Sequence, residues 1–138
     1  MSRSQSLRTQ PCSEADAQRR LAHARKFQEV AQLAAGETDT DYVSVSAALA
    51  VLAGIAASDA ACCKALSRRS RSQDHHDAEE LLGQIAPGGK TAAATLRRLI
   101  RLKDEAHYGF FDVSGHDLQA AIRQAKALVR FAETVLAR

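Results

Sequence analysis

The residues best suited to acid–base chemistry lie near position 107, where a helical segment ends. His107 follows two positively charged residues, Arg101 and Lys103, and precedes Tyr108. An imidazole serves as general base or acid toward a ribose 2′-hydroxyl, and a cation stabilises the charge that develops on the phosphate. These residues therefore fit RNA cleavage without a metal ion. A solvated basic helix face explains the same residues without any chemistry.

A second unusual position is Asp59, a carboxylate within the most apolar segment of the chain. Burying a carboxylate is costly unless a partner compensates it. Asp59 fits three roles: a structural partner of an Arg or His on a neighbouring helix, a functional carboxylate, or a zinc ligand. In the last case Cys62 and either His75 or His76 would complete the ligand set. Since no second spaced ligand pair supports zinc, we predict no metal site.

Basic residues form two further groups that suit a phosphate-bearing ligand. Arg68, Arg69 and Arg71 lie in the connection Ser67–Ser72, and Arg98 precedes the His107 run. The net charge of +3, from 19 basic and 16 acidic residues, permits a nucleic-acid partner without requiring one. The chain has no HExxH, CxxC or G-x-S-x-G motif and no glycine-rich phosphate loop, so the familiar catalytic signatures are missing. We take these arginines, with Asp59 and His75, as candidate ligand-binding residues.

The composition predicts helices as the elements that position these residues. The 138 residues suffice for one domain, and the chain is rich in alanine, with 4% aromatic residues and two prolines. Alanine favours helices, whereas sandwiches and barrels need β-branched and aromatic residues. We predict an all-α, single-domain bundle of four to five helices with up-down topology and short loops, spanning residues 13–138. Residues 1–12 are expected to form a disordered leader.

Capping residues and apolar spacing set the expected helix bounds. Ser13 and Asp16 resemble a capping box that opens the first helix, and Gly36 ends it. A second capping pair, Ser114 and Asp117, opens the last helix. The second helix is rich in small residues on all sides, which favours a central position. The predicted helices span 13–35, 41–67, 74–86, 91–107 and 114–138.

The cysteines and the chain start indicate a cytoplasmic protein. The three cysteines, Cys12, Cys62 and Cys63, are odd in number and two are adjacent, so we predict no disulfide framework and a reducing compartment. No apolar run follows the polar N-terminus, which argues against a signal peptide. Tyr42–Cys63 approaches the length of a membrane span but includes serines and Asp59, so we interpret it as a buried helix.

The run Leu102–Gly109, with sequence LKDEAHYG, resembles the L-[KR]-x-x-A-[DH]-Y-G pattern of one group of the HEPN superfamily of small helical bundles. Arg101 and His107, with five residues between them, match the Arg, four to six residues, His spacing of other members. The triplets Ser58–Ala60 and Gln73–His75 are similar to parts of an actinobacterial HEPN-like family without assigned activity. The resemblance covers about residues 41–137 and implies an HEPN-like bundle.

The resemblance also implies function and partners. HEPN toxins are metal-independent ribonucleases and are often paired with a nucleotidyltransferase-type antitoxin. On this chain their catalytic residues would be Arg101, Lys103, His107 and Tyr108. Other HEPN-like groups have no assigned turnover, so the resemblance fits both a ribonuclease and a binding protein.

Three functions therefore remain open. The favoured one is an HEPN-like protein that binds RNA or a nucleotide through Arg68, Arg69, Arg71 and the basic face of 97–103, without turnover. The second is a ribonuclease toxin centred on His107. The third is a helical dimerisation module in which Asp59 and His75 form internal hydrogen bonds. In each case we expect a homodimer without cofactor or membrane.

Overall fold

The computed structural model describes residues 7–37, 39–71, 75–107 and 113–138, without the side chains at 40 and 103–107. These residues form a helical bundle with one two-stranded sheet, so the predicted all-α class is confirmed. The helices are α1 (Glu14–Ala35), α2 (Thr40–Leu66), α3 (His76–Gly83), α4 (Gly89–His107) and α5 (Gly115–Leu136). The strands are β1 (Thr9–Pro11) and β2 (Arg68–Ser70).

Side-chain caps fix the starts of three helices. At α1, Ser13 Oγ accepts from the Asp16 N–H at 3.1 Å, and an Asp16 carboxylate oxygen accepts from the Ser13 N–H at 2.8 Å, which completes the predicted capping box. At α5, Ser114 Oγ accepts from the Asp117 N–H at 3.0 Å. Asp39 caps α2. Each cap satisfies an N–H group that the first helical turn leaves without a partner.

The helices α1 and α2 pack antiparallel. Lys64 Nζ lies 2.9 Å from a carboxylate oxygen of Glu14, and Ser46 Oγ donates to the Ala31 carbonyl at 2.6 Å. The end of α2 therefore lies beside the start of α1, and the start of α2 lies beside the end of α1. The up-down order of the remaining helices stays a prediction.

The predicted central position of α2 is confirmed, since it packs against all four other helices and β2. Small side chains permit this close approach. A Cβ added at Gly54 would collide with Leu99 of α4 and lie 3.1 Å from Leu128 of α5. The alanines that α2 buries completely are Ala50, Ala53, Ala56, Ala57, Ala60 and Ala61.

One helix among the described residues is long and apolar enough to cross a bilayer. It is the stretch Asp41–Leu66 of α2, with a mean hydropathy of 1.8. Of its most apolar part, 72% is buried inside the bundle.

The expectation of a disordered leader over residues 1–12 is wrong for the described part, which begins at Leu7. Residues 9–11 form β1, which pairs antiparallel with β2 in the register Thr9↔Ser70, Gln10↔Arg69 and Pro11↔Arg68. The segment Ser67–Ser72, predicted as a basic connection between helices, supplies β2. This pairing joins segments almost 60 residues apart, so neither segment reveals it alone.

The expectation of no disulfide is also wrong. Cys12 is bonded to Cys63, with 5.4 Å between their Cα atoms, and Cys62 is a free, buried thiol. An odd cysteine count leaves one thiol over and does not prevent the other two from pairing. The cytoplasmic location stays a prediction, but cysteine usage no longer supports it, because disulfides persist mainly in oxidising compartments.

The third helix is shorter than expected. It was predicted over 74–86 and spans His76–Gly83. Ile85 lies beyond the end of α3 and is nevertheless only 4% exposed. Its spacing from the buried residues of α3 suggested a longer helix, but Ile85 is buried from within the turn that follows. The turn that follows includes Gly88 at φ +97°, a conformation that favours glycine.

Candidate functional site

Among the described residues, three arginines surround a cavity where β1, β2 and the start of α1 meet. A cleft of about 390 Å³ opens there, which we call the arginine cleft. Three of its described lining residues are arginines and one is an acid. The lining residues are Gln10, Pro11, Cys12, Asp16, Arg19, Arg20 and Arg69.

The strand pair places Arg69 in the cleft. Successive side chains of a strand point to opposite faces, so Arg69 points away from its neighbour Arg68. Arg69 lines the cleft, whereas an Nη of Arg68 donates to Gln84 Oε1 at 3.3 Å, on the side of α3. The pairing of the two segments continues past the ends of the strands, since the Arg71 N–H donates to the Arg8 carbonyl at 3.0 Å.

One disulfide and one backbone hydrogen bond hold β1 in place as one wall of the cleft. The disulfide ties Cys12 to Cys63 of α2, and the Cys12 N–H donates to the Ser67 carbonyl at 3.1 Å. Ser67 ends α2 in the left-handed conformation, with φ 59° and ψ 23°. The chain therefore reverses directly from α2 into β2, which brings Arg69 beside β1.

The first turns of α1 supply the opposite wall. Arg19 is exposed and Arg20 is half-buried. An Nη of Arg20 donates to a carboxylate oxygen of Asp59 at 2.9 Å, and Asp59 is 8% exposed. A charge-assisted hydrogen bond of this kind fixes the guanidinium, so Asp59 orients Arg20 at the edge of the cleft. Of the alternatives for Asp59, the structure shows the pairing with an arginine of a neighbouring helix.

The two carboxylates near the cleft differ in their electrostatics. Burial raises the pKa of Asp59, and the charges of Arg20, Arg69 and His75 oppose that rise. The pKa of Asp16 is lowered, first by the hydrogen bond from the Ser13 backbone, with smaller contributions from Arg19 and Arg69. Asp16 is therefore an ionised helix cap that partly neutralises the positive charge of the cleft. Because its pKa is lowered, its carboxylate is a weak base at neutral pH.

The predicted ligand-binding residues separate into different places. Arg69 lines the cleft and Asp59 supports it through Arg20. His75 is the half-buried N-cap residue of α3, and its charge acts on Asp59. Arg71 follows β2 and is exposed. Arg68 turns toward α3 instead.

The basic face of α4 is separate from the arginine cleft. Arg97 forms an ion pair with Glu79 of α3 at 2.9 Å, and an Nη of Arg98 lies 3.5 Å from Thr95 Oγ1. These contacts direct the two arginines along α4 and toward α3 rather than toward β2. Arg101 is exposed on the same helix.

The predicted catalytic residues are only partly described. Lys103 and His107 lie within α4, whose backbone stays helical to His107, and Tyr108 lies outside the described residues. At 100° per residue, positions four apart share a helix face, whereas Arg101 and His107 are about 120° apart around the axis. The backbone thus favours the pair Lys103 and His107 over the pair Arg101 and His107. Their role in catalysis stays a prediction.

The zinc alternative at Asp59 gains no support. Within the described part of the chain, no group of three or more His, Cys, Asp or Glu side chains is arranged to hold a metal ion. Burial raises the pKa of the Cys62 thiol to about 12, and the nearby Asp59 adds to the rise. This thiol is neutral near neutral pH and therefore a poor nucleophile or ligand.

The sequence reasoning missed Arg19, Arg20 and the β1 wall. One signal was present for Arg20: it lies three residues after Ala17 and four before Ala24, both fully buried, so it falls on the apolar stripe of α1. An arginine on such a stripe calls for a buried anionic partner, and Asp59 was the obvious candidate. Nothing local indicated that residues 9–12 would complete the site.

No family model, curated protein or solved structure matches this chain. The HEPN resemblance therefore depends on the residues named for it alone, and membership of that superfamily stays a prediction.

Proposed function

We propose that this chain binds a phosphate-bearing ligand, RNA or a nucleotide, in the arginine cleft without turning it over. The observation that carries the proposal is the convergence of Arg19, Arg20 and Arg69 on one cleft of about 390 Å³. Guanidinium groups present planar sets of donors that match phosphate oxygens, and they stay charged at any physiological pH.

The charge balance of the cleft supports an anionic ligand. Three guanidinium groups face one lining carboxylate, Asp16, whose oxygen already accepts from the Ser13 N–H. Asp59 forms an ion pair with Arg20 and also interacts with the charge of Arg69. A positive excess therefore remains at the cleft, and an anion would reduce the repulsion among the three arginines.

The lining residues favour binding over catalysis. Proton transfer to a reacting group needs a side chain with a pKa near the working pH. The described lining residues include no histidine, the pKa of Asp16 is lowered, and Cys12 is held in a disulfide. The cleft by itself thus offers charge and shape but no general base.

The same residues favour phosphate recognition over base recognition. Proteins that bind unpaired bases stack them on aromatic side chains, and none of the described lining residues is aromatic. Arg71 follows β2, two positions after Arg69, and would extend the cationic surface for a second phosphate. An RNA strand therefore fits better than a mononucleotide, which we treat as the competing ligand in the test.

The test is fluorescence anisotropy with a labelled single-stranded RNA, titrated at several salt concentrations. Arg19→Gln and Arg69→Gln should each weaken binding by about 10-fold and lower the salt dependence by about one unit of slope. Arg123→Gln on α5 is the matched control, because it removes the same charge from an exposed position outside the cleft. We expect it to change the affinity by less than about 2-fold.

Four further outcomes are informative. Equal losses in the cleft variants and in Arg123→Gln would overturn the proposal. A loss confined to Arg98→Gln would move binding to α4. Competition by AMP or ATP at concentrations where inorganic phosphate has no effect would identify a nucleotide as the ligand. Cleavage of the RNA in EDTA, abolished in His107→Ala, would instead support the ribonuclease.

A further inference from the structure

The two sulfurs of the disulfide differ in how a reductant can reach them. Cys63 is 2% exposed on α2, whereas Cys12 is half-buried and lines the arginine cleft. A thiol that reduces a disulfide must contact one of the two sulfurs. The described surface therefore offers a reductant the sulfur of Cys12, and the route to it passes through the cleft.

The charges of the cleft favour that approach. Thiols attack disulfides as thiolates, which are anions. Arg19, Arg20 and Arg69 line the same cleft as Cys12, so they attract a thiolate toward the sulfur that it attacks. A ligand whose phosphates contact these arginines would cover the route. The state of the disulfide and the occupancy of the cleft therefore depend on the same residues.

Apart from the disulfide, few contacts hold the segment that includes β1. None of residues 7–12 is buried, and β1 packs chiefly on β2. Leu7 contacts the core but is only partly buried, and the Arg8 N–H donates to a carboxylate oxygen of Asp77 at 3.2 Å. A two-stranded ribbon on its own is at best marginally stable in water. Without the disulfide, water competes for these hydrogen bonds and β1 separates from the bundle.

Separation of β1 would take the arginine cleft apart. Three of its described lining residues belong to this segment, namely Gln10, Pro11 and Cys12. Arg69 pairs with Gln10 in the strand ladder, and this pairing sets the side of β2 from which Arg69 reaches the cleft. Without β1, Arg69 is no longer held toward Arg19 and Arg20 of α1. The three guanidinium groups then stop converging on one phosphate.

We propose that the disulfide between Cys12 and Cys63 is a redox switch that controls ligand binding in the arginine cleft. In the oxidised chain β1 forms one wall of the cleft and the arginines bind phosphate. In the reduced chain β1 is released and the affinity falls. The switch rests on the proposed function, because it regulates the same site. Its reductant is a dithiol, which reduces a protein disulfide in two successive exchanges.

The exchange moves two electrons from the dithiol to the protein. One thiolate of the reductant attacks the Cys12 sulfur, the sulfur–sulfur bond breaks, and Cys63 leaves as a thiolate that takes a proton. The second thiolate of the reductant attacks its own sulfur in the mixed disulfide and releases Cys12, which is protonated in turn. The reductant ends as a disulfide, and the two protons that it gives up balance those on Cys12 and Cys63. The reverse exchange restores the switch.

The third cysteine stays outside this exchange. Cys62 precedes Cys63 in the sequence, but successive positions of a helix point about 100° apart. Cys62 is 2% exposed, and burial raises the pKa of its thiol to about 12. It therefore forms too little thiolate to compete with Cys63 for Cys12. The switch thus has two states, one oxidised and one reduced.

The first experiment measures the binding of a labelled single-stranded RNA by fluorescence anisotropy, with and without dithiothreitol. Reduction should weaken binding by the wild type about 10-fold, the loss expected when one arginine no longer contacts a phosphate. Cys12→Ser/Cys63→Ser should bind as weakly as the reduced wild type in both conditions. Cys62→Ala is the matched control, because it removes a thiol and leaves the disulfide, so it should respond as the wild type does. Circular dichroism shows that the helices of each form remain folded.

A double-mutant cycle identifies the residue through which the switch acts. If release of β1 misplaces Arg69, reduction should weaken RNA binding by Arg69→Gln less than about 2-fold. Arg19→Gln should still lose about 10-fold on reduction, because Arg19 lies on α1 and its position does not depend on β1. Equal losses in the two variants would overturn the positioning of Arg69 by β1.

The second experiment starts from the folded, oxidised chain, so it decides the matter even where the reduced chain unfolds. The rate of reduction by dithiothreitol is followed by acid quenching, unfolding and labelling with iodoacetamide. An oxidised chain takes up one label, at Cys62, and a reduced chain takes up three. Saturating RNA should slow reduction by about 10-fold or more, because it covers the route to Cys12. An unchanged rate would overturn the switch.

A destabilised variant shows whether reduction passes through the cleft or through global unfolding. Gly54→Ala lowers the stability of the whole bundle without touching the cleft, so it should leave the rate of reduction unchanged. A rate that rises with the loss of stability would show that the disulfide is reached only in the unfolded chain, which would overturn the switch.

Hydrogen exchange without nucleic acid tests the release of β1 by itself. Reduction should speed exchange at the N–H groups of Cys12 and Arg71, which donate between the two segments, while the amides of 51–61 in α2 stay protected. Continued protection of Cys12 and Arg71 in the reduced chain would overturn the switch. If these amides exchange but the oxidised wild type binds no RNA, the proposed function fails while the release of β1 stands. The two failures are therefore distinguishable.

Discussion

Asp59 combines two opposing effects in a single side chain. Burial disfavours its charged form, and Arg20 at 2.9 Å favours it. Desolvation outweighs the arginine, so the pKa is raised above the ordinary value of 3.8. Sequence alone indicated that a carboxylate in this segment needs a partner. It did not identify Arg20, because the pairing depends on the register between two helices.

The raised pKa of Asp59 makes stability depend on pH in a defined direction. The folded state keeps this proton at pH values where the unfolded chain has released it, so the contribution of Asp59 is fully present below about 3.8 and is lost as pH rises through the folded pKa. The unfolding free energy of the wild type minus that of Asp59→Asn should therefore decrease from about pH 3 toward neutrality. Urea denaturation across this range measures it.

The control is the unfolding free energy of Asp59→Asn alone across the same pH range, since residue 59 no longer ionises in this variant. If the difference instead grows with pH, then Arg20 dominates burial and the pKa of Asp59 is lowered.

Cys62 is expected to be inert in the folded protein. Its thiol is buried and its pKa is raised to about 12, so very little thiolate forms near pH 8 and access is blocked. Iodoacetamide followed by mass spectrometry should give no labelling of the native chain, one label after unfolding, and three after unfolding with reduction. Two or three labels on the native, unreduced chain would contradict both the burial and the disulfide.

At the scale of elements, the helices were predictable where local chemistry determines them. The caps at Ser13 and Ser114 act within four residues, and the helices they open begin at Glu14 and Gly115 as expected. The third helix was predicted too long because apolar spacing alone does not separate a helix from the buried turn that holds Ile85. Long-range contacts decide that distinction.

The approach of α2 to α4 and α5 should be sensitive to a single methyl group. At Gly54 an added Cβ would meet Leu99, which is fully buried, so Gly54→Ala should destabilise the protein by about 1–2 kcal/mol despite the higher helix propensity of alanine. Gly115→Ala is the matched control, because no atom of the described residues, apart from its chain neighbours and its own helix backbone, lies within 4 Å of its Cβ position. Thermal or urea unfolding of both variants tests this, and an equal effect at the two positions would argue against tight packing at Gly54.

At the scale of the whole molecule, the arginine cleft depends on contacts between distant parts of the chain. Arg69 was predicted as a ligand-binding residue from its basic neighbours, but its partners Arg19 and Arg20 come from another helix. The β1 wall is a three-residue strand with no apolar alternation of its own, and its pairing and disulfide connect it to residues more than 50 positions away. Local propensity carries no information about such pairings.

The disulfide should contribute substantially to the stability of the fold. It closes a loop across a separation of 51 residues, which restricts the unfolded chain by about 4 kcal/mol in the loop-entropy picture. A reductant should therefore lower the urea midpoint of the wild type. It should leave the Cys12→Ser/Cys63→Ser variant unchanged, and that variant should resemble the reduced wild type. A wild-type midpoint that does not move would mean that the strand pairing alone holds residues 7–12.

The same covalent link changes what a single break in the backbone would do. The turn at Gly36–Asp39 lies inside the ring that Cys12 and Cys63 close, and its described residues are exposed. A protease that cuts after Glu37 would therefore leave α1 attached to the rest of the molecule through sulfur. The cut chain would migrate as one band without reductant and as two with it. The two segments that build the arginine cleft would stay together after the peptide connection between them is lost.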